Sequence, residues 1–197
     1  MRTIETLSNL ECDKLLSQLI TESTSPNQIR KSLRNQLAIL LMLDAGLRVS
    51  EMLSIKIGKL WYSGTPAQAI EIEASISKNH QSRIVPTSKR LQGIIQLCHD
   101  QFWVNDINSP YFFAIPGKSG LEPLTARMVQ HIVARASLAA LGRKIHPHIL
   151  RHTFATRLMR CTNVATVQRL LGHKSIQSTQ VYMHPDMSDL QAAINML

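Results

Sequence analysis

The sequence lacks several features that would place it outside the cytoplasm. It has three cysteines, Cys12, Cys98 and Cys161, which lie far apart and form no C-x-x-C pair. An odd number of scattered thiols gives no disulfide framework and favours a reducing compartment. The longest apolar run, Leu37 to Leu43, is too short to span a bilayer, and the N-terminus has no signal-peptide pattern. We therefore expect a cytoplasmic protein without a membrane-spanning segment.

The sequence also lacks runs of like charge, although basic residues clearly outnumber acidic ones. The formal net charge is +9, from 22 Lys and Arg against 13 Asp and Glu. This excess favours a polyanionic partner, with nucleic acid first and an acidic membrane surface as the alternative. A membrane-binding polybasic tail is not supported, because no block of like charges is present. At 197 residues, 44% of them hydrophobic, the chain is expected to bury a single core.

Helical periodicity dominates the chain, and one region follows the two-residue period of a strand. Apolar residues alternate with polar ones between 70 and 76, and a possible return strand, Arg83-Ile84-Val85, follows and is stopped by Pro86. This pattern predicts a small antiparallel hairpin over about 68–86. We therefore predict an α+β fold that is mainly α-helical, with the hairpin on one side. The expected helices cover about 9–20, 28–45, 51–55, 88–102, 125–141, 147–160, 163–171, 175–182 and 187–197, with one more short strand at 111–115.

Capping residues predict where several of these helices begin and end. The segment from Ser8 to Glu11 has the S-x-x-E pattern of a capping box. Pro147 suits the first position of a helix, because its missing N–H needs no partner there. Gly46 is expected to end a helix, and Gly172 is expected to end another in the left-handed conformation. Ser50 is the expected start of the short helix at 51–55.

One stretch, from His146 to Tyr182, concentrates residues that suit a phosphate-handling site. His148 and Arg151 are three residues apart and therefore share one face of a helix. His173 follows the end of the next predicted helix, and Tyr182 comes nine residues later. An arginine can clamp a phosphate with two parallel hydrogen bonds, and imidazoles can donate to its oxygens. A phenol oxygen can attack phosphorus as a nucleophile.

These residues form four boxes, which together resemble the tyrosine recombinase (phage integrase) family. The H-x-x-R box stands at 148–151 and runs on as His152-Thr153-Phe154-Ala155-Thr156, the L-G-H box stands at 171–173, and the nucleophile stands at Tyr182. The first arginine box, G-x-R-x-x-E, stands at 46–51. The resemblance covers the chain from about Leu7 to its end. It implies the catalytic-domain fold of that family and a site-specific recombinase, which cleaves and rejoins DNA through a 3′-phosphotyrosine without ATP, metal or another cofactor.

The resemblance implies a role for each residue in the boxes. Arg48 and Arg151 are similar to the arginine pair that holds the scissile phosphate. His148 and His173 are similar to the two histidine positions of the family, and His148 is also expected to assist proton transfer from Tyr182. The phenol of Tyr182 is the implied nucleophile.

Two further residues are implied by the same resemblance. Lys78 is similar to the hairpin lysine that protonates the 5′ oxygen, although the family's G-K-G reads Ser77-Lys78-Asn79 here. The downstream Arg83-Ile84-Val85-Pro86 matches the end of the family hairpin and supports this register. Glu51 resembles the carboxylate that braces the arginines from behind.

Other interpretations of these side chains stay open. His146, His148 and His152 could form a zinc cluster, although the guanidinium of Arg151 beside them would repel a cation. His152 is expected to be a structural histidine, hydrogen-bonded inside the fold. Tyr182 could be an ordinary half-buried tyrosine.

The expected domain organisation is a single catalytic domain over 1–197, without the N-terminal core-binding domain of most family members. In this respect the chain resembles the short DNA invertases that switch fimbrial expression. Double-stranded DNA is the expected partner, and the protein is expected to associate with the nucleoid. Its affinity for DNA would come from a basic face of the catalytic domain, from self-association or from a helper protein. The apolar stripe of the 187–197 tail either packs on its own domain or links subunits into a tetramer on DNA.

Two competing functions keep some support from the residues. The segment from Thr162 to Tyr182 resembles a helix-turn-helix, which would suit a non-catalytic DNA-binding regulator. A type IB topoisomerase would share the phosphotyrosine chemistry, although the short chain and the integrase-like boxes disfavour it.

Overall fold

The structure, a computed structural model, describes residues 5–77, 81–103, 114–117 and 120–182. It is mainly helical with small antiparallel strand pairs, as the sequence predicts. The α-helices in these ranges are α1 (Asn9–Ser17), α2 (Pro26–Leu43), α3 (Val49–Leu53), α4 (Lys89–Cys98), α5 (Ala126–Leu141), α6 (Pro147–Met159), α7 (Val164–Leu171) and α8 (Gln177–Gln180). A 3₁₀ turn covers Ile57–Lys59, and a π-helical turn, His99–Trp103, extends α4.

Most of the predicted helix boundaries are confirmed by hydrogen bonds at the caps. The Ser8 and Glu11 side chains form the expected capping box at the start of α1. Pro147 occupies the first turn of α6, and the His146 side chain accepts the His148 backbone N–H. Gly172 ends α7 in the left-handed conformation, where a glycine carries no steric cost.

Several predicted boundaries are wrong, and two of them have a clear local reason. Helix α1 ends at Ser17 rather than near residue 20. Helix α2 begins at Pro26 rather than near residue 28, because a proline is tolerated in the first helical turn. Helix α3 begins after Arg48 rather than at Ser50, because the Glu51 carboxylate reaches back to accept the Arg48 backbone N–H at 2.9 Å. Helix α8 covers only Gln177–Gln180, which is shorter than the predicted 175–182.

The described strands form three separate antiparallel pairs. The predicted hairpin is confirmed as β3 (Ala69–Ile72) paired with β4 (Arg83–Pro86), although β3 ends at Ile72 and residues 74–76 form a turn. Two very short strands, β1 (Trp61–Tyr62) and β2 (Thr65–Pro66), precede it and were not predicted. The last pair is β5 (Ala114–Gly117) with β6 (Gly120–Pro123). The strand expected at 111–115 overlaps β5 at 114–115, and its residues 111–113 lie outside the described residues.

Helix α2 lies at the centre of the main core and packs against α4 and α6. Its second half is almost continuously buried, from Leu37 to Leu43. Each fully buried leucine contributes roughly 2 kcal/mol relative to an exposed one. At the end of α2, the Asp44 carboxylate accepts hydrogen bonds from Arg90 at 2.6 Å and from Ser88 at 2.7 Å. These contacts fix α4 beside the end of α2, where the chain turns toward Arg48.

A smaller apolar cluster joins α6 to the segment that follows it. Ala155, Val167, Leu171 and Tyr182 are its buried members. This cluster holds the chain after α8 against α6, and so sets the position of the tyrosine. No helix in the described ranges is long and apolar enough to cross a membrane. The predicted tail helix at 187–197 lies outside the described residues.

Gly46 connects α2 to α3 and provides a test of this packing. It has φ +62°, and an added Cβ would lie 2.4 Å from the Phe154 ring on α6. Gly142 has a similar φ of +70°, but an added Cβ there would meet open space. We expect Gly142→Ala to cost about 1–2 kcal/mol for the left-handed backbone alone. Gly46→Ala should cost about 2–5 kcal/mol, because overpacking adds to the same strain.

Urea unfolding of the two variants, compared with the unchanged protein, measures this difference. Equal losses for Gly46→Ala and Gly142→Ala would contradict the close approach of α6 to the α2–α3 connection.

Candidate active site

The site is built around Glu51, whose side chain is fully buried in the first turn of α3. Its carboxylate accepts two hydrogen bonds from the Arg83 guanidinium, at 2.8 and 3.0 Å. It also accepts the Arg48 side chain at 2.8 Å and the Arg48 backbone N–H at 2.9 Å. A guanidinium N–H of Arg151 lies 3.8 Å from the same carboxylate. One buried anion therefore holds three arginines from three distant segments of the chain.

Arg151 enters the site from α6 and is itself buried, with 4% of its surface exposed. Its guanidinium donates to the carbonyl oxygen of Gly46 and, at 2.7 Å, to that of Leu171. These two carbonyls belong to the turns that end α2 and α7. Since a left-handed glycine follows or forms each turn, both carbonyls can point toward the arginine. Arg151 thus connects the first arginine box to the L-G-H box.

Charge in this cluster is unbalanced. Burial raises the pKa of Glu51, but hydrogen bonds and charge from Arg83, with Arg48 and Arg151, overcome that effect and hold the pKa at about 2. Burial lowers the pKa of Arg151, as does the nearby charge of Arg48, whereas Glu51 raises it. An arginine remains protonated near neutral pH even so. Three guanidinium groups share one carboxylate, so the cluster keeps an excess of positive charge that suits an anion.

His173 lies at the edge of this cluster in a neutral state. Burial lowers its pKa to about 4, with further lowering from Arg151 and Arg48. Its Nε2 is 3.3 Å from an Arg151 nitrogen, and its Nδ1 is 2.9 Å from Thr179 Oγ1. Because a guanidinium only donates, Nε2 must accept and Nδ1 must carry the proton. Arg151 therefore fixes the tautomer of His173, and Thr179 Oγ1 accepts the Nδ1 proton.

Tyr182 lies against His152 and His173. Its phenol oxygen is 2.7 Å from His152 Nδ1, and its ring stacks with that of His173 at a centroid distance of 6.5 Å. The side chain is 8% exposed. Burial raises the pKa of the phenol, and the charges of Arg151 and Arg48 lower it by less. Tyr182 is therefore protonated at neutral pH, at the border of the positive cluster.

His148 occupies the first turn of α6 and is exposed. Its ring stacks on that of His146 at 5.2 Å and lies 6.3 Å from that of His152. The three imidazoles form a row along α6 that leads to the phenol of Tyr182. Within the ranges that the structure describes, no three His, Cys, Asp or Glu side chains are arranged to hold a metal ion.

The structure brings together most of the residues that the sequence singled out. Arg48, Glu51, Arg151 and His173 form one connected cluster, and Tyr182 borders it. His148 lies near the same border through the row of imidazoles. The predicted Lys78 falls outside the described residues.

Three residues of the site were missed as site residues. Arg83 was used only to align the hairpin, yet its guanidinium pairs with Glu51 and its Nε donates to the Leu170 carbonyl at 2.8 Å. A signal was present, because Arg83 falls on the same face of β4 as the buried Val85. His152 was expected to be a structural histidine, and no local pattern marks Thr179.

Comparisons of the sequence and of the fold with known proteins give the same result. The fold resembles solved tyrosine recombinase catalytic domains, and a family model for the phage integrase family matches residues 7–189. The chain belongs to the phage integrase family. It is 34% identical over 177 residues to the tyrosine recombinase XerC of Listeria innocua serovar 6a, covering 82% of this chain and 53% of that relative. It is 30% identical over 198 residues to the tyrosine recombinase XerA of Pyrococcus horikoshii, covering 96% and 65%.

Three solved structures superpose on nearly all of this chain. A XerA recombinase structure superposes with a TM-score of 0.75 at 21% identity, over 100% of this chain and 64% of that one. The catalytic domain of bacteriophage HP1 integrase superposes with a TM-score of 0.58 at 22% identity, over 98% and 94%. A XerH site-specific recombinase bound to a palindromic difH substrate superposes with a TM-score of 0.73 at 25% identity, over 98% and 53%. The chain spans between about half and two thirds of the length of the curated relatives it matches.

The buried carboxylate gives a direct stability test. In Glu51→Gln the three guanidinium groups lose their common anion, and breaking a buried pair costs about 3–5 kcal/mol. Glu73→Gln is a matched control, because Glu73 is 52% exposed and pairs only at the surface with Lys59. It should change stability by less than about 1 kcal/mol. Urea unfolding at neutral pH measures both, and a small loss in Glu51→Gln would contradict the central role given to this carboxylate.

Proposed function

We propose that this chain is a site-specific DNA recombinase, which cleaves and rejoins double-stranded DNA through a covalent 3′-phosphotyrosine at Tyr182. The observation that carries the proposal is the convergence of Arg48, Arg151 and His173 beside the Tyr182 phenol. These groups come from three separate segments of the chain, since Arg48 precedes α3, Arg151 lies on α6 and His173 follows α7. An excess of positive charge next to a nucleophile is what phosphodiester transfer requires.

The catalytic roles follow from the position and chemistry of each side chain. Arg48 is partly exposed, with 16% of its side chain accessible. Its guanidinium can therefore bind a phosphate oxygen while its Nη1 donates to the Glu51 carboxylate. Arg151 supplies a second guanidinium from the buried side of the site. His173 contributes a third donor once a phosphate displaces the Arg151 contact and the imidazole takes its Nε2–H form, in which the Thr179 hydroxyl donates to Nδ1. Each well-placed donor to the developing charge is worth about 3–4 kcal/mol of the barrier.

In the cleavage step, the phenol oxygen of Tyr182 bonds to phosphorus as the bond to the 5′ oxygen breaks. Lys78 gives its proton to that leaving oxygen, which departs as a 5′ hydroxyl. The bond energy is kept in the phosphotyrosine ester, so rejoining is the reverse reaction and needs no ATP. Glu51 does not touch the DNA in this scheme and acts by holding the arginines.

DNA is the proposed partner, and the net charge of +9 supports this choice. The rival function, a regulator that binds through a helix-turn-helix, has less support. Helix α8 has four residues, which is too short for a recognition helix in the major groove. Thr179 on α8 is also buried and bonded to His173 rather than exposed for base contacts.

A covalent-adduct assay tests the proposal. A labelled pool of nicked duplexes with a randomised central segment is incubated with the protein and analysed under denaturing conditions. We expect a protein–DNA adduct that Tyr182→Phe abolishes and Tyr62→Phe preserves, since Tyr62 is 74% exposed on β1. Arg151→Ala should lower the adduct yield at least about 100-fold while leaving most DNA binding intact.

Other outcomes would point to other functions. Tight, salt-sensitive binding without any adduct would support the regulator. Relaxation of a supercoiled plasmid without a preferred site would support a topoisomerase-like activity. An adduct that survives in Tyr182→Phe would contradict the nucleophile proposed here.

Self-association through the tail after Tyr182 is a second part of the proposal. The tail combines Asp186 and Asp189 with the apolar stripe of 187–197. A groove of about 940 Å³ between the end of α1, α2 and α5 offers a complementary surface, with cationic and apolar side chains. The groove lining includes Lys31, Arg34, Arg135, Ile20, Met128 and Leu138. We propose that the tail of one subunit occupies the groove of the neighbouring subunit when both are bound to DNA. A helper protein on the nucleoid is a further proposed partner.

Leu138 on α5 and Leu97 on α4 allow a matched test, because each is 46% exposed. Leu138→Asp should place a charge in the groove and reduce the assembly on DNA to smaller species. Leu97→Asp should leave the assembly unchanged. Light scattering of the DNA complex measures its mass, and the same mass for both variants would contradict docking in this groove.

A further inference from the structure

We propose that His152 is the general base for Tyr182, taking the phenol proton during cleavage and returning it during rejoining. This inference rests on the proposed function and adds a residue to its proton transfers. It starts from the hydrogen bond between the phenol oxygen and His152 Nδ1, which is 2.7 Å long. His152 therefore contacts the atom that attacks phosphorus.

The position of His152 follows from its place on α6. Arg151 and His152 are consecutive, so their side chains leave the helix about 100° apart. Arg151 points to the buried carboxylate cluster, whereas His152 points to the tyrosine. Packing of Tyr182 against Ala155 and Leu171 keeps the phenol at this distance. One helix thus supplies both a phosphate ligand and the partner of the nucleophile.

The protonation states fit a base and its substrate. Burial raises the pKa of the Tyr182 phenol, so the phenol is a weak nucleophile until its proton is removed. Burial lowers the pKa of His152, and the nearby His148 and Arg151 lower it further, so the imidazole is neutral and able to accept. Arrival of a DNA phosphate adds negative charge, which favours the protonated imidazole that the reaction forms.

Two other imidazoles lie near the phenol. His173 faces Tyr182 from the end of α7, but its Nδ1 is bonded to Thr179 and its Nε2 to Arg151. His148 lies one turn before His152 on α6, with 6.3 Å between the two ring centroids. The imidazole bonded to the phenol is that of His152, although the sequence favoured His148 for this proton transfer.

Every proton transferred in cleavage and rejoining has a donor and an acceptor. The Tyr182 O–H proton moves to His152 Nδ1 as the phenol oxygen bonds to phosphorus, and the leaving 5′ oxygen takes a proton from Lys78. In rejoining, the 5′ hydroxyl returns its proton to Lys78 as it attacks. The His152 imidazolium then protonates the departing tyrosine oxygen. No oxidant, metal or further reactant is required by this exchange.

His152→Asn and His152→Ala test the assignment in single-turnover cleavage of a nicked duplex recovered from the adduct pool. Asparagine keeps an acceptor near the Nδ1 position but cannot take a proton at neutral pH. We expect both variants to cleave about 100-fold to 10,000-fold more slowly. The unchanged protein should lose activity at acid pH as His152 protonates, and His152→Asn should lack that acid limb. His99→Asn, where the imidazole stacks on Trp61, is the control and should cleave at the normal rate.

A duplex with a sulfur in place of the leaving 5′ oxygen separates the two proton transfers. Such a leaving group needs no proton, so it should restore cleavage to Lys78→Ala but not to the His152 variants. Unfolding curves at the assay temperature check that each variant is folded. Normal cleavage by His152→Asn with an unaltered pH profile would overturn this inference alone. Absence of any adduct with the unchanged protein would instead overturn the proposed function, and this inference with it.

Discussion

The buried carboxylate of Glu51 is the interaction on which the site depends. It has no exposed surface, yet it is ionised, because Arg83, Arg48 and Arg151 converge on it. A buried charge without such partners would be too costly to keep. The same carboxylate spaces three guanidinium groups that would otherwise repel one another. Because it neutralises only part of their charge, the cluster is both stable in the fold and able to attract an anion.

The arrangement depends on contacts at the ends of helices α2 and α7. Gly46 and Gly172 turn the chain sharply after α2 and α7, and Arg151 on α6 donates to a carbonyl in each turn. Helix ends leave unpaired carbonyl groups that an arginine can satisfy. The fold therefore uses the same guanidinium to complete two helix ends and to line the candidate site, so stability and the proposed function depend on one residue.

The helices and their caps could be predicted from the sequence, because these features depend on local spacing. Most of the site was expected because its boxes resemble those of the tyrosine recombinase family. The boxes at 46–51, 148–151 and 171–173 have specific patterns, and the structure joins their residues. The contacts of Arg83 could not be predicted in this way, since its partner Glu51 is 32 residues away and on another element. Strands β1 and β2 were missed because two-residue strands have no period to detect. The bond between His152 and Tyr182 depends on tertiary packing and leaves no sequence pattern.

The central claim is that the arginines and His173 form one anion site that faces the Tyr182 phenol. A crystal structure of the protein with nicked DNA and orthovanadate tests this claim most directly, because vanadate adopts the geometry of a phosphate under attack. The account predicts vanadium bonded to the Tyr182 oxygen, with Arg48, Arg151 and His173 on its equatorial oxygens. Vanadate bound away from these side chains, or bonded to another residue, would contradict it.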